Sequence, residues 1–418
     1  MNRISFLLII AGVLLSLDVY VFQAVKTIFV NSNIGTRRIV YGIYWSYTIF
    51  SLGVLFFFAL GGIEKLGSIS RNFLISAVFI NLIFKILMFI FLLLEDIFRL
   101  GKLAFDKVNV SNITSEGKDV SLINRSEFLS KTALVVASAP VIAFSYGIIS
   151  GAHDYRVRRI RLPLANLPKS FHGIKIAQIS DIHSGSFYNK TAVKGGIEML
   201  LGEKPDIVFF TGDLVNNSAD ETAEYTSVFE KVKAPMGVYS TLGNHDYGDY
   251  ISWASPEAKR KNLEDLKQVH KQMGWRLMMN EHIMLEQGGE KIALIGIENF
   301  GAKGHFPKYG KLEQAYKGTE DAPVKLLLSH DPSHWDYQVR TQYPDIDVMF
   351  AGHTHGMQFG IETKFLKWSP VQYMYKQWAG LYTEDKQHLY VNRGYGYLGY
   401  PGRIGILPEI TILELVTA

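Results

Sequence analysis

Four long apolar runs crowd the first third of the chain, and nothing else in the sequence restricts its fold as severely. They cover residues 5–22, 40–62, 73–94 and 133–149. Each approaches the roughly 20 residues a helix needs to cross a bilayer. Inside lipid every backbone N–H and C=O must pair within its own segment, so such runs form helices. Several in succession, joined by short charged loops, are hard to bury in a water-soluble core. The first run, broken late by Asp18, has the length of a signal peptide, but no small-x-small cleavage pattern follows it. The third contains Lys85, expected to face protein rather than lipid, and the fourth is the weakest. Residues 95–131 are polar and charge-mixed and read as a loop between the third and fourth spans.

Charge does not orient these spans. Lys26, Arg37, Arg38, Arg99, Lys102, Arg125 and Lys131 fall on one side, and Arg3, Lys65, Arg71, Arg156, Arg158, Arg159 and Arg161 on the other. The positive-inside bias is therefore balanced. Forty-three basic against 39 acidic residues give a formal charge of +4, with the excess in clusters beside apolar runs. That is membrane-edge charge, and no nucleic-acid partner is expected. The chain has no cysteine, which excludes disulfides, zinc–thiolate sites and a cysteine nucleophile.

From about Val157 the texture changes to short apolar runs alternating with polar helical stretches. Strands are expected at 174–179, 207–210 and 238–242, with helices at 191–201, 219–231 and 256–273. This β-α-β-α-β order predicts a mostly parallel sheet. Further strand-like runs at 275–278, 282–285, 292–297, 325–328, 347–350, 389–391 and 409–415 predict a second sheet.

Polar clusters follow the strands at regular positions. They are Asp181-Ile182-His183, Gly212-Asp213, Gly243-Asn244-His245-Asp246, His330, and Gly352-His353-Thr354-His355-Gly356. Side chains two apart in a strand point the same way, so His353 and His355 face one cavity. Loops at the carboxyl ends of parallel strands converge on one crevice. Seven candidate ligands, Asp181, His183, Asp213, Asn244, His330, His353 and His355, would meet there. They offer oxygen and nitrogen but no sulfur, which suits Mn, Fe or Zn. Seven donors are too many for one ion. Two divalent ions sharing a carboxylate, about 3.5–4 Å apart, are the economical arrangement.

These five blocks, in this order, resemble the signature of the calcineurin-like metallophosphoesterase superfamily. The resemblance covers Lys175 to the C-terminus. The apolar N-terminus and the tail Arg393-Gly394-x-Gly396…Pro408-Glu409-Ile410-Thr411 resemble a narrower, bacterial membrane-associated group related to UDP-2,3-diacylglucosamine pyrophosphatases. The resemblance implies a four-layer α/β/β/α sandwich behind an α-helical transmembrane region. It implies one metal on Asp181, His183, Asp213 and His355, and another on Asp213, Asn244, His330 and His353, with Asp213 bridging. His245 would be no ligand but a catalytic general acid beside the leaving group, a role that suits imidazole, the side chain that changes charge nearest neutral pH. Two ions would acidify a water and clamp phosphoryl oxygens. Relatives often carry an acidic residue just after Gly-Asp. Here the run is Gly212-Asp213-Leu214-Val215-Asn216-Asn217, so the group that orients His245 stays open. The arginine that follows this block in Ser/Thr protein phosphatases is absent too.

Arg393 and Arg403, in the Gly- and Tyr-rich tail, are candidates for gripping a substrate phosphate. The aromatic stretch Phe359–Tyr375 would suit an apolar wall for acyl chains. The expected organisation is a membrane region over 1–152, a linker and first strand over 153–174, and a metallophosphoesterase domain over 175–418. The expected activity is hydrolysis of a phosphodiester or pyrophosphate bond by metal-activated hydroxide, in a lipid-linked, UDP-diacylglucosamine-like substrate at the bilayer. Alternatives are a broad phosphomonoesterase or nucleotidase, and a non-catalytic metal-binding membrane sensor. The expected location is the inner membrane of a bacterium, spanned several times. The stretch Asn124-Arg125-Ser126-Glu127-Phe128-Leu129 looks like a degenerate export signal and leans toward an extracytoplasmic domain. Oligomeric state has no signal in the sequence.

Overall fold

The computed structural model describes residues 3–62, 66–110 and 127–418. Contacts divide the chain into two units, Met1–Ser145 and Tyr146–Ala418.

The first unit is built on helices α1 (Arg3–Ile28), α2 (Ile34–Ala59), α3 (Ser68–Val110) and most of α4 (Glu127–Ile149). All four are long and apolar enough to cross a membrane. Asn33 caps α2, its side chain accepting from the Thr36 N–H at 2.8 Å. Lys85 is buried against the protein as expected: it pairs with Asp18 and lies 3.3 Å from Thr48 Oγ1. Its charge is thus met by a partner on a neighbouring helix rather than by lipid. The first part of the loop expected over 95–131 is helical instead, because α3 continues to Val110. The polar residues past the apolar run fall at helical spacing, and Asp96 pairs with Arg99 one turn on at 3.0 Å. Residues 111–126, including the first half of the export-like stretch, lie outside the described residues.

The second unit contains two six-stranded sheets. One comprises β1 (Arg156–Leu164), β2 (Lys175–Ile179), β3 (Ile207–Phe210), β4 (Val238–Ser240), β5 (Arg276–Leu277) and β14 (Glu409–Thr417), in the order β1-β14-β2-β3-β4-β5. The other comprises β6 (Glu281–Gln287), β7 (Glu290–Gly296), β8 (Lys325–Leu328), β9 (Val348–Ala351), β12 (Gly380–Glu384) and β13 (Gln387–Val391), in the order β12-β13-β9-β8-β7-β6. A two-stranded hairpin, β10 (Ile361–Glu362) and β11 (Lys367–Trp368), stands apart. β14 runs parallel to β1 and antiparallel to β2.

Period-two alternation explains the layers. Ile176, Phe209 and Leu413 of the first sheet meet Leu294, Leu326 and Phe350 of the second in one buried cluster. Their strand neighbours Ala177, Ile179, Val208 and Phe210 point the other way, into a cluster with Val193 and Ile197 of helix α5 (Lys190–Gly202). On the far side of the second sheet, Ile295, Leu327 and Met349 pack with Trp335 and Val339. Each fully buried large aliphatic side chain contributes about 1.5–3 kcal/mol. The result is the α/β/β/α sandwich. Gln178 stitches its two sheets together, its Nε2 donating to Thr211 Oγ1 at 3.0 Å and across the interface to Ala351 O at 2.9 Å.

The helix expected over 219–231 is instead a 3₁₀ turn, Ala219–Thr222, and one short helical turn, α6 (Thr226–Phe229). Side chains cap the start of this segment. Glu221 accepts from the N–H groups of Asn216, Asn217 and Ser218, and Asn262 Oδ1 takes the N–H of Ala219 at 2.8 Å. The longer α7 (Pro256–Met273) has a Ser255 cap and a proline at its first position, and it ends on Gly274 at φ 74°. α5 ends differently. The same left-handed position after its last turn holds Lys204, at φ 51°. Lys204→Gly removes that backbone strain and should raise stability by about 0.5–1 kcal/mol, read as a higher unfolding midpoint.

Candidate metal centre

The carboxyl ends of β2, β3, β4, β8 and β9 bring the polar clusters together. Asp181, His183 and His355 form one group whose donor atoms all lie within 4.8 Å of one another; Asp213, His330 and His353 form a second. Asp213 Oδ2 reaches both, at 3.2 Å from His330 Nε2 and 3.6 Å from His183 Nε2. Within the first group His355 Nε2 is 3.0 Å from His183 Nε2 and 3.3 Å from Asp181 Oδ1. Asn244 Oδ1 joins the second, 2.8 Å from His353 Nδ1. All seven sequence candidates for ligands therefore lie in this one cluster.

The local backbone is bent to aim them. Asp181, His183, Asp213, His353 and His355 have φ between 50° and 71°, a region that non-glycine residues seldom occupy. Each such residue costs about 1–3 kcal/mol and persists only where its surroundings hold it. The motif glycines make the room. A Cβ on Gly243 would lie 2.2 Å from Asp213 Oδ1, and one on Gly352 would lie 2.2 Å from Asp181 Oδ2. Each carboxylate is thus received by the glycine of a motif from another strand.

Electrostatics favours cations here. His330 Nδ1 donates to the Thr211 carbonyl at 2.6 Å, which turns Nε2 into the site. That nitrogen is buried and faces the carboxylate of Asp213 at 3.2 Å. Burial opposes protonation, yet Asp213 pushes His330 up to about 10. In turn, against the penalty of burial, His330 and His245 hold Asp213 well below the usual carboxylate range. Burial drives His183 far down, toward the neutral form that ligates metals. Two buried carboxylates facing imidazole nitrogens, in two adjoining groups, could hold divalent metal.

His245 is half-buried beside this cluster. Its N–H donates to Asp213 Oδ1 at 2.9 Å, and its ring packs against Tyr250 with centroids 4.5 Å apart. A backbone carbonyl orients the ring, since Nδ1–H donates to Asn216 O at 2.8 Å and Nε2 is left free to act. No sequence motif announces a carbonyl, so this partner is invisible before folding.

Asp246 also went unassigned in the sequence. It is fully buried, and its two oxygens accept from the N–H groups of Asp213, Leu214, Val215 and Gly243 at 2.8–3.3 Å. Burial, then the charge of Asp213, push it up to about 7. It sits directly behind the ligand in Gly-Asn-His-Asp and fixes the loop that carries Asp213. Tyr375 likewise had only an apolar expectation, but its hydroxyl lies 2.8 Å from His353 Nε2.

The two tail arginines do something other than expected. Arg393 is buried and paired with Glu409 at 2.5 Å and Glu362 at 2.7 Å. Arg403 is fully buried and pairs with no carboxylate among the described residues. Its guanidinium donates to the carbonyls of Gly396 (2.5 and 2.9 Å), Gly394, His355 and Ile406. Burial lowers it to about 10. Apart from the buried Arg393 Nε, both side chains spend their donors within the protein. A guanidinium and its carbonyl acceptors meet only through tertiary structure, which sequence spacing does not reveal. His334, four residues after His330, is buried between Ser329 Oγ and Gln338 Oε1, outside both groups.

Comparison with known proteins agrees with this geometry. Residues 174–357 match the family described as "Calcineurin-like phosphoesterase". Residues 2–152 match that described as "Probable Calcineurin-like phosphoesterase, transmembrane domain". A Danio rerio transmembrane protein with metallophosphoesterase domain is 28% identical, over 80% of this chain and 72% of its own length. The phosphodiesterase YaeI of Escherichia coli (strain K12) is 26% identical, over 71% of this chain and all of its own. The UDP-2,3-diacylglucosamine pyrophosphatase LpxG of Chlamydia trachomatis is 27% identical, over 64% of this chain and 92% of its own.

Asp246→Asn replaces two acceptor oxygens by one and sets an amide donor against backbone donors. It should cost about 2–4 kcal/mol, measured by denaturant unfolding, and should weaken metal retention on dialysis.

Proposed function

Because this chain belongs to the calcineurin-like phosphoesterases, a family of phosphoester hydrolases, we propose that it is a dinuclear enzyme acting on lipid-linked phosphodiesters or pyrophosphates at a membrane. Asp181, His183, Asp213 and His355 would hold one ion, and Asp213, Asn244, His330 and His353 the other. When bound, the pair supplies Lewis acidity and an acidified water. The chain's own residues do the rest. Asp213 orients both groups from one carboxylate. Asn244, being neutral, leaves the site's positive charge available to an anionic substrate. His245, with Nδ1 fixed on the Asn216 carbonyl, presents Nε2 to deliver a proton to the leaving oxygen. The observation that carries this reading is the sharing of Asp213 Oδ2 between the two groups, with His245 held beside it.

Residues 1–152 would anchor the enzyme, 153–174 would link and begin the sandwich, and 175–418 would carry the chemistry. The lipid-linked substrate rests on the four spanning helices and on the printed name of the chlamydial relative. A water-soluble monoester substrate is the rival. We place the protein in a bacterial inner membrane with the phosphoesterase unit outside the cytoplasm, from the export-like stretch before α4.

Asp213→Asn should abolish hydrolysis of both lipid-linked and chromogenic phosphodiesters. His245→Ala should slow turnover by about 10²–10⁴-fold with metal content intact. Loss of metal from His245→Ala, measured by elemental analysis, would contradict its role as acid. A reporter active on one side only, fused after Ala418, reads the orientation. Activity in the cytoplasm overturns the external placement and makes nucleotide-linked lipid precursors the substrates to assay; activity outside removes them in favour of envelope lipids.

A further inference from the structure

Between the ligand His355 and the site-facing Tyr375 the chain makes an excursion that the chemistry above does not use. Its centre is the hairpin β10–β11, paired Ile361 to Trp368 and Glu362 to Lys367. The tip is an ordered turn. Thr363 N–H donates to Leu366 O at 2.8 Å, and Thr363 Oγ1 accepts from the N–H groups of Phe365 and Leu366. The root is fixed as well, since Gly360 N–H donates to Ile404 O at 2.9 Å and Phe359 bridges Ile404. On this firm base the side chains point the wrong way for water. Phe365 is 98% exposed and Tyr373 78%, with Phe359, Ile361, Leu366 and Met374 exposed around them. Contiguous exposed apolar patches on rigid elements mark interaction surfaces.

The charge of the excursion selects the partner. Its single carboxylate, Glu362, is turned inward and paired with Arg158 at 2.6 Å and Arg393 at 2.7 Å. The positive charge left on the outside is that of Lys364; Lys367 turns its Nζ to the Ala379 carbonyl, and Lys376, just past Tyr375, is exposed with Glu384 at 4.0 Å. Aromatic and aliphatic tips that carry an outward lysine and no outward carboxylate seat at the headgroup level of an anionic bilayer, apolar atoms among the acyl chains and ammonium groups at the phosphates. A bilayer is also the one surface this chain never leaves, because it carries four spanning helices.

We propose that hairpin β10–β11, with the adjoining turn at Tyr373–Met374, is a membrane-docking element that seats the mouth of the metal centre on an anionic lipid surface. It rests on, and deepens, the lipid-linked substrate reading. The excursion leaves the site at His355 and returns at Tyr375, whose hydroxyl touches His353, so docking sets the centre against the headgroup layer. A phosphate there is reached without lifting the lipid from the bilayer.

The chain has no cysteine, so Phe365→Cys gives the full-length protein one reactive thiol. A polarity-sensitive fluorophore is attached to it, and the protein is reconstituted in phosphatidylethanolamine–phosphatidylglycerol vesicles doped with nitroxide-labelled lipid. The label should shift to the blue and be quenched about threefold or more above the same label at Glu198→Cys, an exposed site on α5. Adding Leu366→Asp should reverse most of the difference. Equal quenching at both sites overturns the proposal. So does a blue shift without lipid quenching, which would mean that protein covers the hairpin. The readout involves no substrate: quenching without hydrolysis of lipid-linked phosphoesters keeps the docking element and removes the substrate reading.

Discussion

Asp181 and Asp213 are buried together with four imidazoles, and the second unit is arranged to make that burial tolerable. Charges removed from water cost several kcal/mol each unless they are paired and fully hydrogen-bonded. The sandwich answers with partners drawn from both sheets. Asp213 accepts from the His245 N–H and faces His330, while Asp181 accepts from the His353 N–H at 3.0 Å and faces His355. Left-handed backbone at five of these positions adds strain that only the closed packing sustains. Bound divalent cations would complete the compensation, and affinity for metal and stability of the closed sandwich would then be two sides of one equilibrium.

That arrangement also explains the form of the motifs. Gly243 and Gly352 lie where carboxylates from other strands need space, so a glycine in one block answers an aspartate in another. The aspartate after His245 answers the turn that carries Asp213, through four backbone donors. Chemistry and backbone support are interleaved in four consecutive residues, Gly243 to Asp246.

What was legible in the sequence is what depends on local order. Apolar runs of spanning length, the β-α alternation and the clusters at strand ends all announce themselves, because a strand's period and a helix's length are properties of adjacent residues. What was hidden depends on meeting across the fold. Arg393 and Arg403 looked like phosphate grips, since a guanidinium in a glycine-rich tail carries no mark of its partner. Glu409 and a ring of carbonyls claim them instead. The carbonyl that orients His245 is contributed by backbone, which has no letter of its own. The extension of α3 to Val110 was masked because its last turns are polar. The aromatic stretch 359–375 was visible as apolar, but an outward-facing tip cannot be told from a wall without the hairpin that aims it.

The position of β14 has a consequence for how the chain is made. Among the described residues, β1 pairs with β14 alone, and β2 has β14 on its other side from β3. All seven candidate ligands precede Glu409 in the sequence. A ribosome that has delivered every one of them has still not delivered the strand that joins β1 to the rest of the sheet. The nascent chain therefore holds all seven candidate ligands before β2 gains its second neighbour and before β1 joins the sheet.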